Sequence, residues 1–370
     1  MKIQFNDLGS QWEEIKLETL PKIESVLSQG NYILGEPVQE FENDFAKWNN
    51  NKYSIGVSNG TDAIKIAFKS LNLKGSVYVL IPANTYISTI LSVEDSNTPN
   101  ITIDLVDCDK YYQISTEILE TKLRENRKKY DNCVVIPVHL YGHCCDMKTI
   151  LKLKSIYDFK ILEDCSQAHG TKGFDGKNVG TYGDISAFSL YPGKNLGAAG
   201  DAGIITTDNQ DYFETCKTLR NIGSKEKYVH IEKGWNNRLD TIQSVILSAK
   251  LKKIDEWNRL RNKIAQRYLQ EIINKKIDLP LKADYCEYHT YHIFCLKVKK
   301  RVEFIEYMRK FEIPILIHYP ISIENSICYN YLTKDNELTN SNSNFICSLP
   351  MHPFLNDESV DFIIKKINEY

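Results

Sequence analysis

Six short apolar runs, at residues 77–81, 101–106, 133–138, 159–162, 185–190 and 203–206, alternate with stretches of helical periodicity, and that alternation constrains the fold more than any other feature. Such a pattern builds an α/β sheet, largely parallel, with helices packed on it. Ligands of open α/β sheets bind outside the carboxyl ends of the strands, so the residues just past each run are the ones to inspect. The run 159–162 ends in Glu163 and Asp164, and the run 185–190 ends in Tyr191-Pro192-Gly193-Lys194. A carboxylate and an amine thus follow two strand ends. A lysine in such a place can form a Schiff base once burial and a neighbouring cation have removed its proton. An aspartate on an adjoining strand is the partner a pyridinium nitrogen needs. The pair fits a pyridoxal phosphate site. Taken alone, an Asp at a strand end and a Lys in a glycine-rich loop are more often an N-cap and a solvated charge.

A chain of 370 residues suits two domains, or one large domain with a smaller companion. Its net charge of -2, with basic residues scattered, leaves no electrostatic footprint for nucleic acid or an anionic membrane. The first residues lack the apolar core of a signal peptide, and no run reaches the roughly 18 apolar residues of a membrane span. A cytoplasmic protein is expected. Ten cysteines lie dispersed with no C-x-x-C pair, as reduced thiols do. The cluster His143-Cys144-Cys145-Asp146 holds potential metal ligands, but adjacent residues cannot all turn toward one ion, and no metal site is expected. The Asn-rich stretches 48–52 and 339–344 read as surface loops.

In chain order, residues 3–34 predict an arm and a helix that stops near Gly30, and Glu40, Phe41, Phe45 and Trp48 predict a second helix. A strand at 53–57 runs into Ser58-Asn59-Gly60-Thr61-Asp62 and a helical pattern. Free N–H groups at that helix start, aided by its dipole, would suit a phosphate, unless Thr61 or Asp62 merely caps the helix. Tyr86, in a loop at a strand end, would stack on a flat ring or join the core. Apolar residues at helical spacing over 239–273 predict a bent spine leaving the large domain. Strands at 292–298 and 313–317 with helices at 302–311 and 360–367 predict a small α+β domain. The division expected is 1–250 and 251–370. Neither G-x-S-x-G nor G-x-G-x-x-G occurs, against an α/β hydrolase or a dinucleotide-dependent dehydrogenase.

Four motifs in this order and spacing carry a resemblance: NGTDA at 59–63, EDCSQAHG at 163–170, FSLYPGKNLGAAGDAG at 188–203 and GWNNRLD at 234–240. Together they resemble the DegT/DnrJ/EryC1/StrS family of nucleotide-sugar aminotransferases, over the chain from about Phe5 to the C-terminus. The resemblance implies a fold-type I pyridoxal 5'-phosphate enzyme, with a mostly parallel mixed sheet in a large domain and a smaller α+β domain. It implies Lys194 as the Schiff-base lysine and Asp164 as the carboxylate facing the pyridine nitrogen. Gln167 would lie near the ring hydroxyl, Ser189, Gly60 and Thr61 at the phosphate, and Tyr86 over the ring. Asn236 would reach the cofactor of a neighbouring subunit, so a homodimer with shared sites is implied. Cys165 and Asn237 depart from the usual Ala and Ser.

Family members that dehydrate carry His at the lysine position, so Lys194 implies amino transfer. The wording at 166–170 and 316–324 resembles the branch acting on 3-keto sugars. That implies transfer from L-glutamate to a nucleotide-linked, dTDP-type 3-keto-6-deoxyhexose, with Tyr191, His318 and Tyr319 near the sugar. A 4-keto sugar, a UDP-linked 3-keto sugar and a non-catalytic regulator are the other readings.

Overall fold

The computed structural model describes residues 3–332 and 334–370. Two helices, α1 (Leu8–Gln29) and α2 (Glu36–Asn49), lead into β1 (Tyr53–Val57). Then come α3 (Gly60–Ser70), β2 (Val77–Pro82), α4 (Ser88–Glu94), β3 (Ile101–Val106), α5 (Thr116–Asn126) and β4 (Asn132–Val135). They are followed by α6 (Met147–Tyr157), β5 (Lys160–Asp164), β6 (Ile185–Ser189), β7 (Gly203–Thr207) and α7 (Gln210–Arg220). The seven strands form one sheet in the order β1-β7-β6-β5-β4-β2-β3, with β7 antiparallel to both its neighbours and the other pairs parallel. This is the mostly parallel mixed sheet expected.

Strand periodicity explains how the sheet is buried on both faces. Along β2, Tyr78 and Leu80 join one core with Phe41, Ile161 and Phe188, while Val77, Val79 and Ile81 join another with Ile66, Val134 and Leu162. Every residue of β2 is buried, which is why the run reads as continuously apolar.

Past the sheet, a short hairpin of β8 (Ser224–Glu226) and β9 (Val229–His230) precedes α8 (Thr241–Leu251) and α9 (Ile254–Glu271). The remainder is β10 (Ile277–Asp278), β11 (Phe294–Val298), α10 (Arg301–Arg309), α11 (Glu337–Phe345), β12 (Ile346–Leu349) and α12 (Asp357–Glu369). Strands β10, β11 and β12 form an antiparallel sheet whose core includes Tyr268, Phe294, Phe304 and Ile363. The long periodic stretch breaks at Lys252 and Lys253. Ile254 at the start of α9 packs in the large sheet's core, whereas Ile264, Ala265 and Tyr268 pack in the small one. The helix carries the chain from one core to the other.

The structure differs from the sequence-based expectation in five places. Residues 313–317 form no strand: Pro314 removes an N–H from the run, and a single bridge from Leu316 to Ser348 remains. The strand that completes the small sheet is β12, which is not among the expected strands. The stretch 339–344 is not a loop but part of α11, and Trp48 and Asn49 end α2, with Asn50 its left-handed cap. Asn49 is fully buried and donates to the Val179 carbonyl at 3.2 Å. Finally, α3 is capped by neither Thr61 nor Asp62. Asn59 is its N-cap, and its side chain accepts from the Asp62 amide at 2.8 Å.

Candidate active site

Asp164 is the last residue of β5, and its backbone pairs with Ala187 of β6. Its carboxylate accepts from the Thr89 hydroxyl at 3.0 Å and from the Ser166 amide at 3.1 Å. At 4% exposure it is nearly sealed, yet among the described residues no cationic side chain lies within ion-pair distance of it. Lys194 follows β6 in a loop closed by three backbone bonds: Lys194 N–H to the Tyr191 carbonyl, Ala198 N–H to Leu190, and Leu190 N–H to Ala202. Burial pulls the Lys194 amine down to about 8, and the Asp164 carboxylate pulls it partly back. The two groups that the sequence placed at strand ends therefore sense each other across the ends of adjoining strands.

The helix start and the end of β6 also converge. A β-carbon on Gly60 would lie 2.6 Å from that of Ser189, so only glycine lets α3 begin against Ser189. Gly203, opposite Val57 and Ser189, closes the same corner; a β-carbon there would lie 2.3 Å from the Asn59 carbonyl oxygen. With Asn59 engaging Asp62 and Ala63, the Gly60 and Thr61 amides stay free of helix bonds. The Thr61 hydroxyl donates to Ser88 at 3.0 Å.

On the other side, Gln167 is held at both ends of its amide. Its oxygen accepts from the Tyr141 N–H at 2.7 Å, and its nitrogen donates to the Tyr319 hydroxyl at 3.0 Å. Tyr86, half exposed, lies with its ring centroid 5.2 Å from that of Tyr319. His318 shares a hydrogen bond with Ser348 through Nδ1 at 2.9 Å, and its carbonyl accepts from the Tyr141 hydroxyl. Burial, reinforced by Lys194, lowers its imidazole to about 4. Tyr191 is exposed. Asn236 is exposed too, its backbone bridging to Asn221.

Several residues at the site had no sequence signal. Thr89 looks like one more small residue on a helix until it meets Asp164. Asn6, from the N-terminal arm, donates to the Gly193 carbonyl at 3.1 Å, and the Phe5 ring lies 5.9 Å from that of His318. Only tertiary contact brings that arm to the lysine loop.

The residues 143–146 do not converge on one point. His143 Nδ1 faces the Cys144 carbonyl at 2.7 Å, while its Nε2 accepts from the Ala283 amide at 3.1 Å. His139, Glu163 and Cys165 do lie within 4.8 Å of one another. Glu163, however, already accepts from His139, the amides of Gly180, Tyr182 and Gly183, and the Ser186 hydroxyl. A cation there would have to displace those donors.

A sequence profile described as the DegT/DnrJ/EryC1/StrS aminotransferase family matches residues 13–368. The chain is 38% identical over 370 residues to a dTDP-3-amino-3,6-dideoxy-alpha-D-galactopyranose transaminase of Aneurinibacillus thermoaerophilus, covering 100% of this chain and 99% of that protein. Among solved structures, S. venezuelae DesV in complex with a ketimine intermediate matches with a TM-score of 0.93 at 31% identity, over 100% of this chain and 98% of DesV. NtdA of Bacillus subtilis with bound cofactor PMP matches with a TM-score of 0.87 at 26% identity, over 100% and 85% of the two chains. Full-length likeness in sequence and in structure makes this chain a member of the DegT/DnrJ/EryC1/StrS aminotransferase family, an enzyme with the α/β architecture of fold type I.

Proposed function

We propose that this aminotransferase uses pyridoxal 5'-phosphate to move an amino group from L-glutamate to a dTDP-linked 3-keto-6-deoxyhexose, giving a 3-amino-3,6-dideoxy sugar. The observation that carries the reading is the nearly sealed Asp164 carboxylate, with no cation within ion-pair distance among the described residues, near a lysine whose amine burial pulls down to about 8. A protonated ring nitrogen is the cation that such a carboxylate calls for, so the residues fit the cofactor. When bound, the cofactor supplies an electron-withdrawing ring that accommodates charge as the amino group leaves one substrate and enters the other.

The chain's own residues divide the remaining work. Asp164 holds the ring-nitrogen proton, and Thr89 and the Ser166 amide hold Asp164. Lys194 anchors the cofactor; when free, it takes a proton from one carbon and returns it to another, a role suited to an amine pulled down to about 8. Gly60, Thr61 and Ser189 receive the phosphate, Gln167 neighbours the ring hydroxyl and Tyr86 covers the ring. Asn236, exposed in the single chain, reaches a second subunit's phosphate in a homodimer. Tyr191, His318 and Tyr319 face the sugar. The nucleotide-sugar class is supported by the name of the Aneurinibacillus relative.

The division into a large domain (1–250) and a small one (251–370) is supported by the change of core along α9. A cytoplasmic location is supported by ten free cysteines and by the absence, among the described residues, of any helix long and apolar enough to cross a membrane.

The test is a paired assay of the glutamate-charged enzyme with a dTDP-3-keto-6-deoxyhexose and its 4-keto isomer, with a UDP-linked 3-keto sugar as third arm. The two carbonyls sit about one bond length apart, and misplacement of about 1 Å can cost on the order of 100-fold in rate. The 3-keto sugar is expected to win by at least about tenfold in kcat/KM. Equal or inverted preference would move the enzyme to the 4-keto branch. Borohydride reduction followed by peptide mapping should find the cofactor on Lys194, and a label elsewhere would sink the site assignment.

A further inference from the structure

Lys194 is preceded by Tyr191-Pro192-Gly193, and the Tyr191 carbonyl accepts from the Lys194 N–H at 2.9 Å, which closes a turn. The ring of Pro192 fixes its own φ, but nothing local fixes Gly193. A β-carbon on Gly193 would meet nothing closer than the Tyr191 ring at 3.5 Å, so neither crowding nor a side chain restrains it. The peptide unit that joins Gly193 to Lys194 therefore needs a restraint from outside the loop. Asn6 supplies one: its Nδ2 donates to the Gly193 carbonyl at 3.1 Å. That unit is then held at both ends, its N–H by Tyr191 and its carbonyl by Asn6. The Lys194 Cα, one of its coplanar atoms, is held with it.

Asn6 is itself fixed by its neighbours in the arm. Ile3 is buried in the small sheet's core, and the Phe5 carbonyl accepts from the Met351 N–H at 3.4 Å. On the other side Asp7 caps α1, accepting from the Ser10 amide at 3.0 Å. Asn6 is thus presented to the lysine loop between two anchors. Its Oδ1 is buried with no hydrogen-bond partner among the described residues. The amide cannot flip to relieve that oxygen, because Oδ1 would then face the Gly193 carbonyl, which can only accept. A buried acceptor without a donor is destabilising, and an apolar side chain of similar shape would avoid it. What asparagine does here that an apolar residue would not is hold Gly193.

We propose that Asn6 is a positioning residue for Lys194: by fixing the carbonyl of the Gly193–Lys194 peptide unit, it sets the origin from which the lysine side chain reaches the reacting carbon. The four-carbon stem turns a small rotation of that unit into a larger displacement of the amine, and misplacement of about 1 Å can cost on the order of 100-fold in rate. The inference rests on the reading of Lys194 as the cofactor-anchoring residue.

Three variants of the cofactor-loaded enzyme test it. Asn6→Leu keeps the shape and removes the donor, Asn6→Ala removes both, and Asn6→Gln offers the donor again from a longer side chain. Asn6→Leu and Asn6→Ala are expected to lower kcat at least about tenfold with the KM for nucleotide sugar within about twofold, and Asn6→Gln to recover part of the loss. The single-turnover rate constant at which glutamate changes the absorbance of bound cofactor should fall in parallel. That rate constant counts only loaded sites, so a loss of folded enzyme would leave it unmoved. A wild-type single-turnover rate constant in Asn6→Leu or in Asn6→Ala overturns the positioning role and leaves Asn6 a support for the arm. Borohydride mapping of the wild type keeps the two failures apart. A cofactor found on Lys194 with unchanged single turnover in the variants overturns only this inference, whereas no cofactor on Lys194 overturns the reading beneath it.

Discussion

Lys250 illustrates how a single buried cation can leave a signature in stability. It lies on α8 at 5% exposure, donating to the Gly197 carbonyl at 2.7 Å and to Gln11 Oε1 at 3.0 Å, and so ties the lysine loop to α1. Among the described residues it has no carboxylate within ion-pair distance, and burial pulls its ammonium down to about 8. The unfolded chain then binds more protons than the folded one between about pH 8 and the ordinary lysine value, so stability rises with pH across that window. Wild type should gain about 2 kcal/mol relative to Lys250→Met between pH 7.5 and pH 10. Urea midpoints at the two pH values would check it, and a difference that does not change with pH would refute it.

Among the elements, α11 depends most on a distant partner. Its N-cap residue, Asn336, makes no capping bond; its side chain donates instead to the buried Glu324. Asp107, just past β3, takes over. Its carboxylate accepts from the Leu338 and Thr339 amides, each at 2.8 Å, and from the Thr339 hydroxyl at 2.6 Å. A polar, Asn-rich stretch thereby becomes a helix, held at its N-terminal end by a carboxylate from the large sheet. Asp107→Ala should cost α11 about 1–2 kcal/mol of local stability. Hydrogen exchange would show faster amides in 337–345 with β2 unchanged, and wild-type protection in α11 would show that it docks by other contacts.

Viewed whole, the chain carries apolar surface that one copy leaves uncovered. Leu17 is 83% exposed on α1, with Leu20 and Leu27 also exposed, and Tyr32, Ile33 and Leu34 follow. Exposed apolar residues of this kind are what the proposed dimer would cover, and the exposed Asn236 suits the proposed contact in trans. Sedimentation at micromolar concentration should give a dimer, and Asn236→Ala should weaken cofactor retention about tenfold, as loss of a charge-assisted hydrogen bond does. A fully active monomer would exclude shared sites.

The sheet was legible in the sequence because its central strands are buried on both faces, so their apolar runs stand out against helices of a different period. Asp164 and Lys194 were legible because strand ends are where such sheets bind ligands, and Gly60 because it lies in the N-G-T-D motif at a helix start. What the sequence could not show depends on residues far apart in the chain. Thr89 meets Asp164 across 75 positions, Asn195 meets His292 across 97, and Asp107 caps α11 across more than 230. No local periodicity encodes such pairings, and at 313–317 the local apolar signal misled, because a proline outweighed it. Residue types at strand ends determined which reactive groups a site there could hold; which cap and which neighbour each group received was decided by packing, because a hydrogen bond depends on position in space rather than on separation along the chain.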